Sequence, residues 1–325
     1  MRESKLKSYV KRFFALDASA VIVAIVVLIV LVSILAPLIT GGNFLTKTNI
    51  MNIFRKQTYV GIIACGLTLV MITGNIDLSV GNMLTLLTVI CALLTNSMSP
   101  AAAICITLLC GLACGLLNGI LVGPLRLNAF ISTLGTTSVF YALALIISPG
   151  FILRADSAVF DAIGNGYVWF IPVPVVIMAV AVAVFWFVLK RTVFGQQLYA
   201  IGANQTAAKF SGIRTRMQVL VTYVLTGLCV AAAAIVLIAR SMSANPQAAT
   251  GKEMDVILAV VVGGTSIAGG KGSMFGTVLG FLFIGFMTTG FTFLGMNEYI
   301  QSIVTGVILV AALSFDVIKA RRNKL

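Results

Sequence analysis

The chain has 325 residues, 60% of them hydrophobic and only 10% charged, with a mean hydropathy of +1.10. So little polar surface cannot dress a water-soluble globule, and the chain belongs in a bilayer. The formal net charge of +13 sits at the ends of apolar runs, the pattern of topology-setting charge rather than of a nucleic-acid face, and the absence of histidine excludes imidazole bases, Ser-His-Asp triads and histidine zinc sites.

A spanning helix takes about 20 apolar residues to cross a hydrocarbon core of about 30 Å. The first apolar run, 18–40, follows a basic leader of Arg2, Lys5, Lys7, Lys11 and Arg12. It is longer than the ~7–15-residue core of a cleaved signal peptide and reads as an uncleaved first span. Cutting the remaining runs at charges, prolines and glycine clusters gives spans at 59–74, 79–97, 101–123, 128–149, 169–189, 217–239, 254–268, 274–294 and 299–317. The expected fold is an all-α polytopic membrane protein of about ten transmembrane helices. It forms a single transmembrane domain over 1–325, with a basic N-terminus at 1–17 and a basic tail at 318–325, both cytoplasmic. In that orientation all of the 22 Lys and Arg residues face inward except Lys47, Arg55, Lys56, Arg154, Arg240 and Lys252, in keeping with the positive-inside rule. The cysteines all lie within apolar runs, where thiols behave as small hydrophobes, and imply neither a disulfide framework nor a metal site.

Two stretches are poor as helices in lipid. The first runs Thr73-Gly74-Asn75-Ile76-Asp77-Leu78-Ser79-Val80-Gly81-Asn82, over 73–82. The second, 263–273, carries Gly263, Gly264, Gly269, Gly270 and Gly272. Non-helical backbone at membrane depth persists only where protein buries it or a cavity wets it, so paired glycine-interrupted segments point to a translocation path. An ordinary cytoplasmic turn is the alternative, and the residues alone do not choose between them. No internal repeat is evident. Asp77 reads first as a cap for the next span. A carboxylate at a helix centre costs about 2.5–3.5 kcal/mol on insertion scales, so a role toward solute, cation or proton stands beside that reading. Between these stretches Gly111, Gly115 and Gly119 leave a smooth strip for close helix packing.

The longest inward loop, 190–216, contains a short amphipathic helix expected from an Asn204 N-cap through Phe210, stopped at Gly212. Its apolar residues Ala207, Ala208 and Phe210, with Ile213, either pack under the bundle or fit a groove on a cytoplasmic partner. Around Lys271 the P-loop spacing fails twice, with Thr265 in place of its first glycine and Gly272 in place of its hydroxyl. The chain is therefore not expected to hydrolyse ATP.

Four ordered blocks, Ile72 to Gly81, Ala129 to Thr136, Phe194 to Gly212 and Glu253 to Gly280, resemble the permeases of ribose, xylose and galactose type ABC sugar importers. The resemblance implies a non-enzymatic subunit of the bacterial inner membrane that works with a second permease copy, identical or paralogous, above two ABC ATP-binding subunits. A periplasmic sugar-binding protein would deliver a monosaccharide. The chain itself would hold neither cofactor nor metal, with ATP and Mg bound by the partner ATPase, and no nucleic acid is involved. The loop with Gly202, Asn204, Ala207, Ala208 and Gly212 corresponds to the element that couples to the ATPase.

Candidates for the sugar path are Thr73, Asn75, Asp77, Asn82, Asn118, Asn128, Phe130, Ser132, Thr133 and Thr136, since hydroxyls and amides match sugar hydroxyls and an aromatic ring covers a sugar's apolar face. Asn75 stands where the family commonly has glycine, Met254 where it often has leucine, and Tyr141-Ala142 where Arg-Gly is frequent, which leaves the identity of the sugar open. The competing class is an ion-gradient-driven secondary carrier of small polar solutes working through Asp77. A membrane-embedded transferase usually needs several intramembrane Asp, His or Lys groups, which this chain lacks.

Overall fold

The computed structural model describes residues 19–148, 151–246 and 251–322. The basic leader 1–17, and Asn323 to Leu325 of the basic tail, lie outside the described residues. Among the described residues are thirteen helices and four two-residue strands. In chain order the helices begin α1 (Ser19–Ile39), α2 (Lys47–Ile72), α3 (Val80–Ser97), α4 (Pro100–Val122) and α5 (Ala129–Ile147). A short segment comes next, with β1 (Leu153–Arg154), α6 (Ala158–Asn165) and the antiparallel pair β2 (Tyr167–Val168) and β3 (Ile171–Pro172). Then come α7 (Val173–Arg191), α8 (Val193–Ala203), α9 (Gln205–Phe210) and α10 (Thr215–Ser241). Strand β4 (Ser243–Ala244) pairs antiparallel with β1, and α11 (Lys252–Val262), α12 (Met274–Phe293) and α13 (Glu298–Arg322) complete the chain.

Seven of these helices, α1, α3, α4, α5, α7, α10 and α12, are long and apolar enough to cross a membrane. The protein is an all-α polytopic membrane protein. The other three expected spans fall on elements of different character. Helix α2 starts well before residue 59, because Thr46 caps it by accepting from the Asn49 N–H at 3.1 Å and its polar first half continues into a fully buried second half. Helix α11 stops at Val262, short of the expected 268. In α13 the apolar portion is Glu298–Ala312.

The centre of the bundle is α10, packed against α2, α3 and α4. Its approach to α4 is set by the expected glycine strip. A Cβ on Gly111 would lie 2.6 Å from Gly227 O, one on Gly115 2.5 Å from Tyr223 O, and one on Gly119 2.8 Å from Leu220 O. The strip is thus internal packing. Gly276 and Gly280 do the same for α12 on α11, where added carbons would sit 1.9 Å from Gly263 O and 1.8 Å from Ala259 O. The Thr68 and Thr277 hydroxyls, 2.8 Å apart, tie α2 to α12.

The two helices that run into the glycine-rich stretches end in the same way. At the end of α2, Gly74 N donates to Met71 O and Asn75 N to Val70 O, with Gly74 at φ +80°. At the end of α11, Gly264 N donates to Val261 O and Thr265 N to Val260 O, with Gly264 at φ +88°. Both are Schellman endings, in which a glycine takes the left-handed position closed to most side chains. Each leads into an irregular turn and then into a new helix behind a serine, Ser79 before α3 and Ser273 before α12.

Candidate translocation site and coupling surface

Three glycine clusters that are far apart in sequence meet at one point. Gly270 N donates to Ile72 O at 2.9 Å, so the turn after α11 is bonded to the last carbonyl of α2. A Cβ on Gly269 would stand 2.8 Å from Gly74 Cα, and one on Gly202 would stand 1.9 Å from Ile72 O and 2.3 Å from Gly270 N. The end of α8 is therefore seated, backbone on backbone, against both turns. Tyr199 adds a clasp: its hydroxyl donates to Gly272 O at 2.9 Å. Burial pushes that phenol's pKa above its ordinary value, so it remains a donor at neutral pH.

The hairpin of α8 and α9 is built by local signals. Thr192 caps α8, accepting from Gly195 N at 3.2 Å, and Asn204 caps α9, accepting from Ala207 N at 3.0 Å. Gly212 at φ +83° ends it, as its position in the sequence implies. The apolar residues of α9 divide. Ala208 is buried, while Phe210 is 87% exposed. One end of the hairpin is locked to the turns at Gly202, and the other offers a large aromatic ring to solvent.

The first turn encloses a buried polar knot. Asp77, 1% exposed, accepts at Oδ1 from the Ser79 N–H at 2.9 Å and from the Ser79 hydroxyl at 2.6 Å. Asn118 of α4 donates to Ser79 Oγ at 2.7 Å, and Leu78 N donates to Thr133 Oγ1 of α5 at 3.1 Å. Tyr223 of α10 donates to Ile76 O at 2.9 Å. Asp77 thus satisfies Ser79 just ahead of α3 rather than the free N–H groups inside the helix's first turn. Among the described residues the ion pair present is Lys252 with Asp255, so Asp77 has no cationic partner.

Beneath the first turn lies a cavity of about 620 Å³, bounded by that turn, the α4–α5 loop, α9 and the start of α10. Of the sugar-path candidates, Asn75, Asn128 and Phe130 line it. Asn128 also caps α5, accepting from Ile131 N at 3.2 Å. Thr73, Asp77, Asn82, Asn118, Thr133 and Thr136 are buried in helix and turn contacts instead, and Ser132 is half-buried outside the lining. Thr73 donates to Val70 O at 2.7 Å and accepts from Asn75 Nδ2 at 2.9 Å, while Thr136 donates to Thr133 O at 3.2 Å. The Oδ1 atoms of Asn82 and Asn118 are buried without a partner. Sequence reasoning missed the cations of the lining, Arg126, Lys209 and Arg216. It had used them only as topology markers.

A bundle of apolar spans, broken by glycine turns beside a cavity and carrying an exposed helical hairpin, has the parts of a transport permease. Comparison with known proteins gives the class its family: the chain belongs to the branched-chain amino acid transport system / permease component family, matched over residues 49–313. Within it the chain is 40% identical over 294 residues to the ribose import permease protein RbsC of Bacillus subtilis, covering 89% of each. It is 37% identical over 320 residues to the probable ABC transporter permease protein YphD of Escherichia coli K12, covering 98% of this chain and 94% of that one. It is 35% identical over 275 residues to the D-allose transport system permease protein AlsC of the same organism, covering 84% of each. No solved structure matches. The protein is a multi-pass permease component of the inner membrane.

Proposed function

We propose that this chain forms the translocation path of an ABC importer for a monosaccharide of the ribose or allose kind. ATP hydrolysis, with its Mg, is carried by a separate ATPase subunit, and a periplasmic binding protein supplies the sugar. The whole chain acts as one transmembrane domain of ten spans with both ends cytoplasmic, paired with a second permease copy, and needs no cofactor of its own. The observation that carries this reading is the hairpin of α8 and α9. It is fixed at Gly202 to both glycine turns and free at Phe210, so a push on the free end is delivered to the turns that border the cavity. Asn75, Asn128 and Phe130 are the residues that would meet a sugar leaving inward, two amides for its hydroxyls and a ring for its apolar face.

The direct test is Phe210→Asp in the complete transporter. Its ring is 87% exposed, so the complex should keep its thermal stability; because Phe210 also borders the cavity, the deciding readout is ATPase association, which should fall together with sugar uptake. Undiminished uptake would sink the coupling assignment. A phosphatase fusion at residue 160 should be active in the periplasm and one at residue 205 inactive, and the reverse would overturn the orientation. Permease reconstituted without its ATPase should show no uphill transport under any ion gradient.

A further inference from the structure

The cavity has an electrostatic character that a neutral sugar does not require. Its lining includes Arg126, Lys209 and Arg216 and not one carboxylate. The three cations come from separate elements, the α4–α5 loop, α9 and the first turn of α10. The positive-inside bias requires cations on the inner face, but it does not require that they converge. Lys190, Arg191 and Arg214 meet that requirement without lining the cavity. None of the three lining cations forms an ion pair among the described residues. All three are exposed, so water screens their mutual repulsion, and it is their placement around one concave space that favours an anion there.

The backbone adds an independent observation. Arg126 stands at φ +57°, a left-handed conformation that an arginine adopts only at a steric cost. That conformation lies in the turn where Leu127 N donates to Leu121 O at 3.0 Å and closes α4, and it fixes where the Arg126 side chain leaves the chain. Around the cations, Asn128, Gln205 and Thr206 offer polar groups, and Leu127 and Phe130 offer apolar wall. This combination fits a phosphate group joined to an apolar or polyhydroxylated body.

We propose that the cavity binds a phosphate group, carried either on an anionic lipid headgroup of the inner leaflet or on a soluble phosphate ester. Arg126 and Arg216 clamp its oxygens in planar, forked geometry and Lys209 adds a point charge. An occupant held this way bridges α9 to the α4–α5 loop and restrains the element through which coupling enters. The site shares its cavity with the proposed sugar path but not its premise, because anion binding stands whichever solute crosses.

The test uses the full permease with its ATPase, purified in detergent. One arm offers equal phosphatidylglycerol and phosphatidylcholine and counts retained lipid by native mass spectrometry. A second arm titrates glycerol 3-phosphate by calorimetry. The unaltered protein should prefer phosphatidylglycerol, or bind glycerol 3-phosphate, and the arm that responds identifies the source. The combined variant Arg126→Gln, Lys209→Gln, Arg216→Gln should lose about tenfold or more in that binding. A control removing the same charge, Lys190→Gln, Arg191→Gln, Arg214→Gln, should retain it. Should the first variant fail to accumulate, Arg126→Gln alone should give a several-fold loss by the same readout. Silence in both arms, equal loss in the two combined variants, or full binding without the lining cations would each overturn the site. Binding is read without transport, so its failure and a failure of the sugar path are distinguishable.

Discussion

The two turns beyond α2 and α11 leave their helices by the same hydrogen bonds and then hold themselves by opposite means. The first, from Thr73 to Ser79, is filled with side chains: Asp77 and Ser79 bond each other and reach Asn118, while Thr133 and Tyr223 bond the turn's backbone. In the second, from Gly263 to Ser273, Ser266 N bonds Lys271 O, Gly269 N bonds Ser266 O, and Gly269, Gly270 and Gly272 lie against neighbouring chain. One turn is held chiefly by polar side chains, the other chiefly by close-packed backbone with the Tyr199 hydroxyl clasping Gly272 O. A helix end is thus specified locally by glycine, whereas the stiffness of the turn beyond it can come mainly from polar side chains or mainly from close backbone packing. The first turn should be intolerant of losing a polar group, the second of gaining a carbon.

The largest effect is expected where both turns meet α8. Gly202→Ala places a carbon 1.9 Å from Ile72 O, a contact no rotamer relieves because both sides are backbone. The seat must open, at a cost of about 3 kcal/mol by the upper range for overpacking. The thermal midpoint of the purified complex should fall, and hydrogen exchange should rise together in α8 and in both turns. An unchanged midpoint would mean that α8 does not rest on the turns, which would then lack a common anchor. Gly270→Val, at φ +75° and 2.9 Å from Ala203 N, should do nearly as much damage.

What could be read from the sequence divides along the same line. Signals that act within a few residues were legible: the Asn204 cap, the Gly212 stop, the glycine strip of α4 and the apolar spans. The early start of α2 was not, because Lys47, Asn49, Asn52, Arg55 and Lys56 look like a loop until tertiary packing supplies the helix with neighbours. Nor was the stop of α11, since Ile267 and Ala268 prolong an apolar run that Gly263 and Gly264 have already ended. The shared ending of α2 and α11 is a local motif that α9 also closes with, at Gly212, and not an internal repeat; its two sequences, Val70 to Asn75 and Val260 to Thr265, share little beyond a valine and the left-handed glycine. Hydroxyls and amides could be collected as path candidates, but only long-range packing separates Asn118 in the knot from Asn128 at the cavity.

A middle-sized effect is expected at Asp77. Asp77→Ala strands the Ser79 N–H and hydroxyl in a buried site, which costs about 1–3 kcal/mol for a buried unsatisfied group. Asp77→Asn keeps an acceptor at the same place and should recover most of that loss in a chemical-unfolding or thermal series. If the two variants were equally stable and equally inactive, the charge rather than the hydrogen bonds would be the feature that matters, and an ion-coupled mechanism would regain its standing.

The smallest effect tests the other side of the contrast. Thr265 is 1% exposed, and its hydroxyl is buried without a partner in the second turn. Thr265→Val has nearly the same shape and removes a polar atom that gains nothing from its surroundings, so stability should stay within about 0.5 kcal/mol or rise. Thr68→Val is the matched control: that hydroxyl has Thr277 Oγ1 at 2.8 Å, and its loss should cost about 0.6 kcal/mol, the average for a hydrogen bond between membrane helices. A drop of more than about 1 kcal/mol at Thr265 would reveal a side-chain knot in the second turn as well. The two turns would then differ in the identity of their partners and not in the way they are held.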